Sequence, residues 1–469
     1  MALLLSSNQR AQPAVRAQLL ELFTQVLSLQ GVGEGLEQSS RRFYVRIWCP
    51  VLTLWYLLWQ RLQPNHTMDA VVIDLRRGGA DALGPKNKKP LSQRVISRAT
   101  TAFSNARKRI PLDWVKSCFS SLGERLAARL GQANENGLPV KLWDGSTLRM
   151  RPLGDLPKKF PPHRTRRKKS YWCVARVVVG FCANTGLALA AQMASLHVSE
   201  QALAVGLILA STPALHLGDR NFGVWRLVRA AVQSGGHGLF RLTGARANKL
   251  AAGRRLKPGL DLAVEWAPSA HDQVDRGLEE KGVAGRLVVV RAHRPGHRPQ
   301  TLFLFTTLTD SAAYPPARLL ALYGLRWQVE LNFRTIKATM GLAQLEVKSA
   351  DLAQKEFYAG LMAYNLVRGL MGVAARSAGC RLDALSFAAA RSQLTAALCT
   401  LWLGWLPSSV RQEQWLHLVE EVGRARLPRR KKPRPSEPRA QCYAPRVFPL
   451  LRTSRSQART QLKKQNAKC

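Results

Sequence analysis

Tyr323, Arg326, Glu330 and Lys337, within YGLRWQVELNFRTIK, combine residue types and spacing that could do chemistry. On a helix turning about 100° per residue, Arg326 lies about 60°, Glu330 about 20° and Lys337 about 40° from Tyr323, all to one side. The spacing therefore predicts a single helical stripe bearing a carboxylate, two cations and a phenol. Leu322, Val329, Phe333 and Ile336 fall beside it and predict an apolar face toward a core. Such a stripe suits a metal ligand set in a phosphate-binding wall. A surface ion network of Glu330 with Arg326 and Arg334 would use the same residues.

Phosphodiester cutting and joining without a covalent enzyme intermediate commonly uses two divalent cations about 3.5–4 Å apart, held by carboxylates. Mg²⁺ takes oxygen ligands and keeps some of its waters, so two or three acids suffice. Asp144 in VKLWDGS reads as an acid at the end of an apolar strand, and Asp219 in LHLGDRNF follows another. Taken singly, Asp144–Gly145 also fits a β-turn, and Asp219 also fits a helix cap. Asp310, after TTLT, competes with Asp219 for the second place.

The 469 residues carry 71 Lys+Arg against 29 Asp+Glu, a formal charge of +42, which calls for a polyanionic partner. Nucleic acid fits better than a membrane surface, because the charge is spread along the chain rather than gathered on one amphipathic helix. The eight cysteines form no C-x-x-C pair, so no structural zinc is implied; they read as reduced cytosolic thiols. The nine histidines form no His-x-x-x-His pattern, which disfavours a zinc hydrolase. The apolar run Ile47–Trp59 is interrupted by Pro50 and too short to span a bilayer, so it predicts a buried helix.

Residues 1–125 read as an all-helical region, with an amphipathic helix over Ala14–Leu29 and an apolar one over Tyr44–Leu62. DALGPKNKK reads as a loop. LSQRVISRATTAFSNARKRIP reads as a helix with Ser92 as N-cap, ending in Arg107, Lys108 and Arg109; a small DNA-binding unit and a basic exposed helix fit it equally. GQANENG (131–137) reads as a linker. Beyond it, PVKLWDGST, WCVARVVVGF and LALAAQMASL read as strands, the last two joined at Asn184-Thr185-Gly186. Helix, strand, helix and strand follow to residue 243, the order of an α/β sheet domain. Residues 244–310 read as mostly β (DLAVEW, RLVVVRAH, TLFLFTTL), and helices return from Pro316. KKFPPHRTRRKK reads as a loop along DNA backbone. Trp327 could wedge against a base or pack in the core, and the core is expected. Beyond Val422, fifteen Lys/Arg, one acid and a Pro-rich run predict a disordered tail whose DNA affinity weakens with salt.

Tyr323, Arg326, Glu330 and Lys337 match at every position the Tyr-x2-Arg-x3-Glu-x6-Lys signature of one class of bacterial transposases. GDRNFG around Asp219 looks like that family's second-aspartate block, and WDGST around Asp144 resembles its first. The chain thus resembles the DDE transposases of bacterial insertion sequences, in the insertion-sequence-four group, over roughly residues 138–377. The resemblance implies an RNase H-like catalytic domain with a β-rich insertion over 244–310. That domain lies between the helical N-terminal region and further helices over 378–422, followed by the basic tail over 423–469.

It also implies that Asp144, Asp219 and Glu330 hold two Mg²⁺ ions, which Mn²⁺ can replace. One would activate water or a DNA 3′-hydroxyl; the other would stabilise the leaving 3′-oxygen. Arg326, Lys337 and Arg334 suit phosphate contacts, and Tyr323 suits a phosphate hydrogen bond or a stacked base. The expected activity is cleavage and strand transfer at an element's terminal inverted repeats, with target DNA as acceptor. A homodimer bridging two ends in the cytoplasm, at the bacterial nucleoid, is expected. An RNase H-like nuclease or resolvase that cuts without joining is the runner-up. A catalytically dead DNA-binding regulator is the rival from another class.

Overall fold

The computed structural model describes residues 47–81, 89–131 except 96, 134–164, 169–293 except 271 and 273–276, 299–401, 407–428 and 453–466. The expected helix at 14–29, most of the loop at 81–89, and the Pro-rich part of the tail lie outside these.

In the helical N-terminal region, α1 (Pro50–Leu62), α2 (Thr101–Arg109) and α3 (Leu112–Leu130) are the main elements. α1 starts on Pro50, whose missing N–H costs nothing at a first turn, and buries most of its side chains. The single helix expected over LSQRVISRATTAFSNARKRIP is instead one turn, Leu91–Arg94, followed separately by α2. Ser92 does not cap: its N–H and hydroxyl both bond to Asp81. The basic end of α2 is only partly a surface feature. Arg107 is buried and, with Arg61 of α1, grips the buried Glu356 carboxylate, while Lys108 and Arg109 are exposed.

Residues 134–137 of the segment expected as a linker make a tight hairpin turn. Asn136 and Gly137 both take positive φ (50° and 82°), and Asn134–Glu135 pairs back onto Pro139 and Leu138. Two consecutive positive-φ residues are what a two-residue hairpin turn demands, and Asn-Gly supplies them.

Then come β1 (Leu138–Met150), β2 (Lys169–Cys182), β3 (Ala188–Ser195), α4 (Glu200–Leu209), β4 (Leu215–Gly218), α5 (Trp225–Gln233) and β5 (His237–Arg241). β2 lies antiparallel to both β1 and β3, and β4 lies parallel to β1 and β5, giving the order β3-β2-β1-β4-β5. Three β-rich segments extend this sheet rather than forming a separate one. β6 (Asp261–Trp266), β7 (Val283–Ala292) and β8 (Gln300–Thr306) form an antiparallel meander, and β8 pairs with β5. KKFPPHRTRRKK is not all loop: Leu156–Lys159 is a helical turn and Pro162–Arg164 an edge strand on β2.

Alternate residues of a strand face opposite sides of a sheet. Leu142, Val177, Val179 and Leu217 join the core beneath α3 and α8 (Ala350–Ser377). Trp143, Val178 and Phe240 join a second core with α4 and α5. The sheet is therefore covered on both faces. α8 is buried along most of its length, and Asn365 on it holds β3 by bonding both the N–H and the C=O of Ala188. Phe387–Leu401 and Ser408–Arg424 are further helices after α8.

Residues 293–299 and 430–469 form a second compact unit. Its described part includes a helix, Arg455–Asn466, where the tail was expected to be disordered.

Candidate active site

Asp144 is not at a strand end. β1 continues to Met150, with Asp144 opposite Val179 and Gly145 opposite Val178 on β2, so the β-turn alternative is excluded. On the other side, Trp143 registers with Gly218 on the parallel strand β4. Asp144 and Asp219 therefore follow paired residues on neighbouring strands about 4.8 Å apart. By alternation, Asp144 shares its face with Leu142 and Leu148, the side on which Val329 and Phe333 are buried. His216, fully buried on β4, fixes the indole behind this edge, since Trp143 Nε1 donates to His216 Nδ1 at 2.9 Å.

β4 ends on Gly218, where a Cβ would strike Phe222 and the Phe240 ring. Asp219 then makes a tight turn, its Oδ1 accepting from Asn221 N (2.8 Å) and more weakly from Phe222 N (3.4 Å). Asp310 is placed differently. It is exposed, and its Oδ1 caps its own turn at Ala312 N and Ala313 N.

The helical stripe is broken in two places. α6 (Pro316–Gly324) ends before a turn at Leu325–Arg326, α7 runs Trp327–Arg334, and Thr335–Thr339 is a π-helical turn. A uniform 100° projection thus fails beyond Arg334, because a π turn takes more residues per revolution. Tyr323 and Arg326 are buried, whereas the Glu330 side chain is half exposed. Arg326 Nη2 donates to Glu330 Oε1 at 3.1 Å, its guanidinium lies 5.0 Å from the Trp327 ring, and its charge also acts on Asp144. Trp327 is 42 % exposed and Leu331 53 %, so Trp327 does not pack in the core as expected; it flanks Glu330 at the surface. Arg334 is exposed. Lys337 is half-buried, and burial followed by the Arg149 charge lowers its pKa.

The acids act on one another electrostatically. Burial first, then the charges of Asp219 and Glu200, push the Asp144 carboxyl up to about 6, against the pull of the Gly145 N–H and Arg326. The Tyr323 hydroxyl is raised by burial, with Arg326 and Arg241 lowering it and Asp219 raising it. Tyr323 thus lies within electrostatic reach of the second aspartate. Among the described residues no three acidic, His or Cys side chains form a finished cation site; Glu330 is engaged by Arg326.

Sequence reasoning missed Arg241, at the end of β5, and the acid Glu200 with its partners Arg176 and Asn221. Glu200 reads in sequence as an ordinary acid in the first turn of a capped helix. Only the strand register reveals what it meets.

Residues 135–366 match the family model described as a transposase DDE domain. The chain is 26 % identical over 308 residues to the transposase InsG for insertion sequence element IS4 of Escherichia coli (strain K12), covering 65 % of this chain and 68 % of that protein. Among solved structures, it aligns with a cryo-EM structure of the piggyBac transposase synaptic complex with hairpin DNA. That match has a TM-score of 0.42 and 10 % identity, over 86 % of this chain and 85 % of the other. No helix among the described residues is long and apolar enough to cross a membrane. With the matched domain spanning 135–366 and the Tyr-Arg-Glu-Lys residues inside it, the chain is similar to the IS4-like DDE transposases.

Proposed function

We propose that this protein moves its own insertion sequence, cutting DNA at the element's terminal inverted repeats and joining the freed 3′ ends to target DNA. One observation carries the reading. Asp144 and Asp219 follow registered residues of parallel strands on the face toward α7, where Arg326 binds Glu330 and acts on Asp144. An RNase H-like catalytic domain accords with the strand order β3-β2-β1-β4-β5 and with the antiparallel strands inserted before the helix bearing Glu330.

The donor set suits hard divalent cations. Asp144 and Asp219 offer only carboxylate oxygens; burial, with the Asp219 charge adding to it, raises the Asp144 pKa, and positive charge between the two would favour the ionised form. Asp144, Asp219 and, once released from Arg326, Glu330 would hold two Mg²⁺, or Mn²⁺ in their place. Bound there, the ions supply activation of the attacking hydroxyl and stabilisation of the leaving 3′-oxygen.

The protein's cations bind the DNA strand. Arg326 is held against the Trp327 ring with a guanidinium suited to bidentate phosphate contact. When DNA arrives, exchanging Glu330 for phosphate as the partner of Arg326 would free the carboxylate at the same step. Lys337 and the exposed Arg334 extend the cationic wall, and the buried Tyr323 hydroxyl lies within electrostatic reach of Asp219. The helical N-terminal region recognises the ends, and two copies of the chain bridge them, in the cytoplasm at the nucleoid.

The test is a purified-protein reaction with Mg²⁺, a linear DNA carrying the element's own ends, and a target plasmid. End cleavage followed by joined products is expected, and both are lost in Asp144→Ala. Cleavage without joining would instead indicate a nuclease or resolvase. Specific end binding with no cleavage in any divalent cation would indicate a regulator.

A further inference from the structure

Glu200 is the first residue of α4, whose N-cap Ser199 accepts from Ala202 N at 3.0 Å. Its carboxyl group lies against Gly145: a Cβ on that residue would stand 2.4 Å from Glu200 Cδ. Gly145 sits in a regular strand and needs no special φ. Its missing side chain is accounted for by this approach, made from the face opposite to Asp144.

Glu200 Oε2 accepts from Asn221 Nδ2 at 2.6 Å, and the next residue of α4, Gln201, donates through Nε2 to Asn221 O at 2.7 Å. Asn221 in turn donates its backbone N–H to Asp219 Oδ1 at 2.8 Å. On the other side, Arg176 Nε stands 3.8 Å from Glu200 Oε1. The start of α4 is thus tied, through both the side chain and the carbonyl of Asn221, to the carboxylate of Asp219. An acid serving only the α4 dipole would need neither the gap at Gly145 nor the Asn221 amide.

We propose that Glu200 is a positioning residue, holding Asn221 so that the Asp219 carboxylate stays aimed toward Asp144 for cation binding. This rests on the metal-site reading above. Groups that orient a metal ligand from behind typically change metal affinity about 10–100-fold when removed.

The experiment is Mn²⁺ binding by electron paramagnetic resonance titration of the full chain without DNA, beside far-ultraviolet circular dichroism and thermal melting of each variant. Glu200→Ala and Asn221→Ala should each weaken Mn²⁺ binding about tenfold or more. The double variant should be no weaker than either single one, because both changes break one link. Glu200→Gln keeps an oxygen that accepts from Asn221 and should stay within about threefold of the unaltered protein.

Unchanged affinity in Glu200→Ala, a loss in Glu200→Gln equal to that in Glu200→Ala, or losses that multiply in the double variant would overturn the proposal. If Glu200→Ala does not fold, Asn221→Ala alone decides, and unchanged affinity there overturns it. Asp144→Ala separates this inference from the reading beneath it. If the unaltered protein binds no Mn²⁺, or Asp144→Ala binds it undiminished, the metal site itself fails. If Asp144→Ala loses binding and Glu200→Ala does not, only the role of Glu200 falls.

Discussion

Replacing Asp144 by Asn should stabilise the folded protein while removing its activity. The Asn side-chain oxygen can still accept from Gly145 N, as Asp144 Oδ1 does at 2.8 Å, so the local geometry has no reason to change. What disappears is a charge the native state disfavours. An ordinary aspartate carboxyl has a pKa near 3.8, and here burial chiefly pushes it up to about 6. At 1.36 kcal/mol per tenfold change, ionised Asp144 costs the native state about 3 kcal/mol; partial solvent screening reduces this to about 1–2 kcal/mol.

The sign follows from proton uptake. Between pH 4 and about 6 the native state binds more protons at this position than the unfolded chain. The contribution of Asp144 is therefore fully present below about pH 4 and is lost as pH rises through 6. Urea unfolding of both proteins from pH 4 to 8, in chelator, measures it. The two stabilities should coincide near pH 4, then separate until Asp144→Asn leads by about 1–2 kcal/mol above pH 7. Saturating Mn²⁺ should reverse the order, because a ligand that binds only the native site stabilises only the protein that retains it. A separation that is absent, or opposite in sign, at pH 7–8 would refute the argument that burial, with Asp219 and Glu200 nearby, disfavours the ionised Asp144 carboxyl.

Glu356→Ala leaves the buried Arg61 and Arg107 guanidiniums without their shared carboxylate and should cost about 3–5 kcal/mol by urea unfolding. Asn365→Leu unpairs both backbone groups of the buried Ala188 and should cost about 2–4 kcal/mol, with faster amide exchange along β3. Trp327→Ala, at a half-exposed position, should change stability by less than about 0.5 kcal/mol, yet reduce end cleavage in a gel assay. Arg334→Ala and Lys337→Ala should each lower the slope of log affinity against log salt by about one in filter binding to end DNA, largely independent of sequence.

The elements were legible wherever one local rule governed them. Asn184-Thr185-Gly186 forecast the β2–β3 hairpin, because a turn is decided by a few adjacent residues. Asn136-Gly137 carried an equally local signal for a hairpin, but lay in a polar run that also has the composition of a linker. Trp327 was misassigned because a large aromatic beside apolar neighbours reads as core. Its exposure depends on the break at Leu325–Arg326, which hydrophobic spacing does not encode. Arg107 failed in the opposite sense. Three basic residues before a proline look solvated, and only the distant Glu356 explains why one of them is buried.

The candidate site divides along the same line. Asp144 and Asp219 each follow an apolar run, a pattern one segment can show. Their adjacency depends on Trp143 registering with Gly218 across more than seventy intervening residues, a long-range fact. Glu200 could not have been chosen from its own segment, where an acid after a Ser cap is the commonplace choice for a helix start. The usable clue was Gly145. A glycine in the middle of an apolar strand, away from any turn, signals that something approaches the backbone closely. Beside an aspartate, the approaching group is well placed to be part of the same chemistry. Searching for such a glycine next to a candidate metal ligand, before assigning the ligands themselves, would have raised the question that the register of β1 and β4 answers.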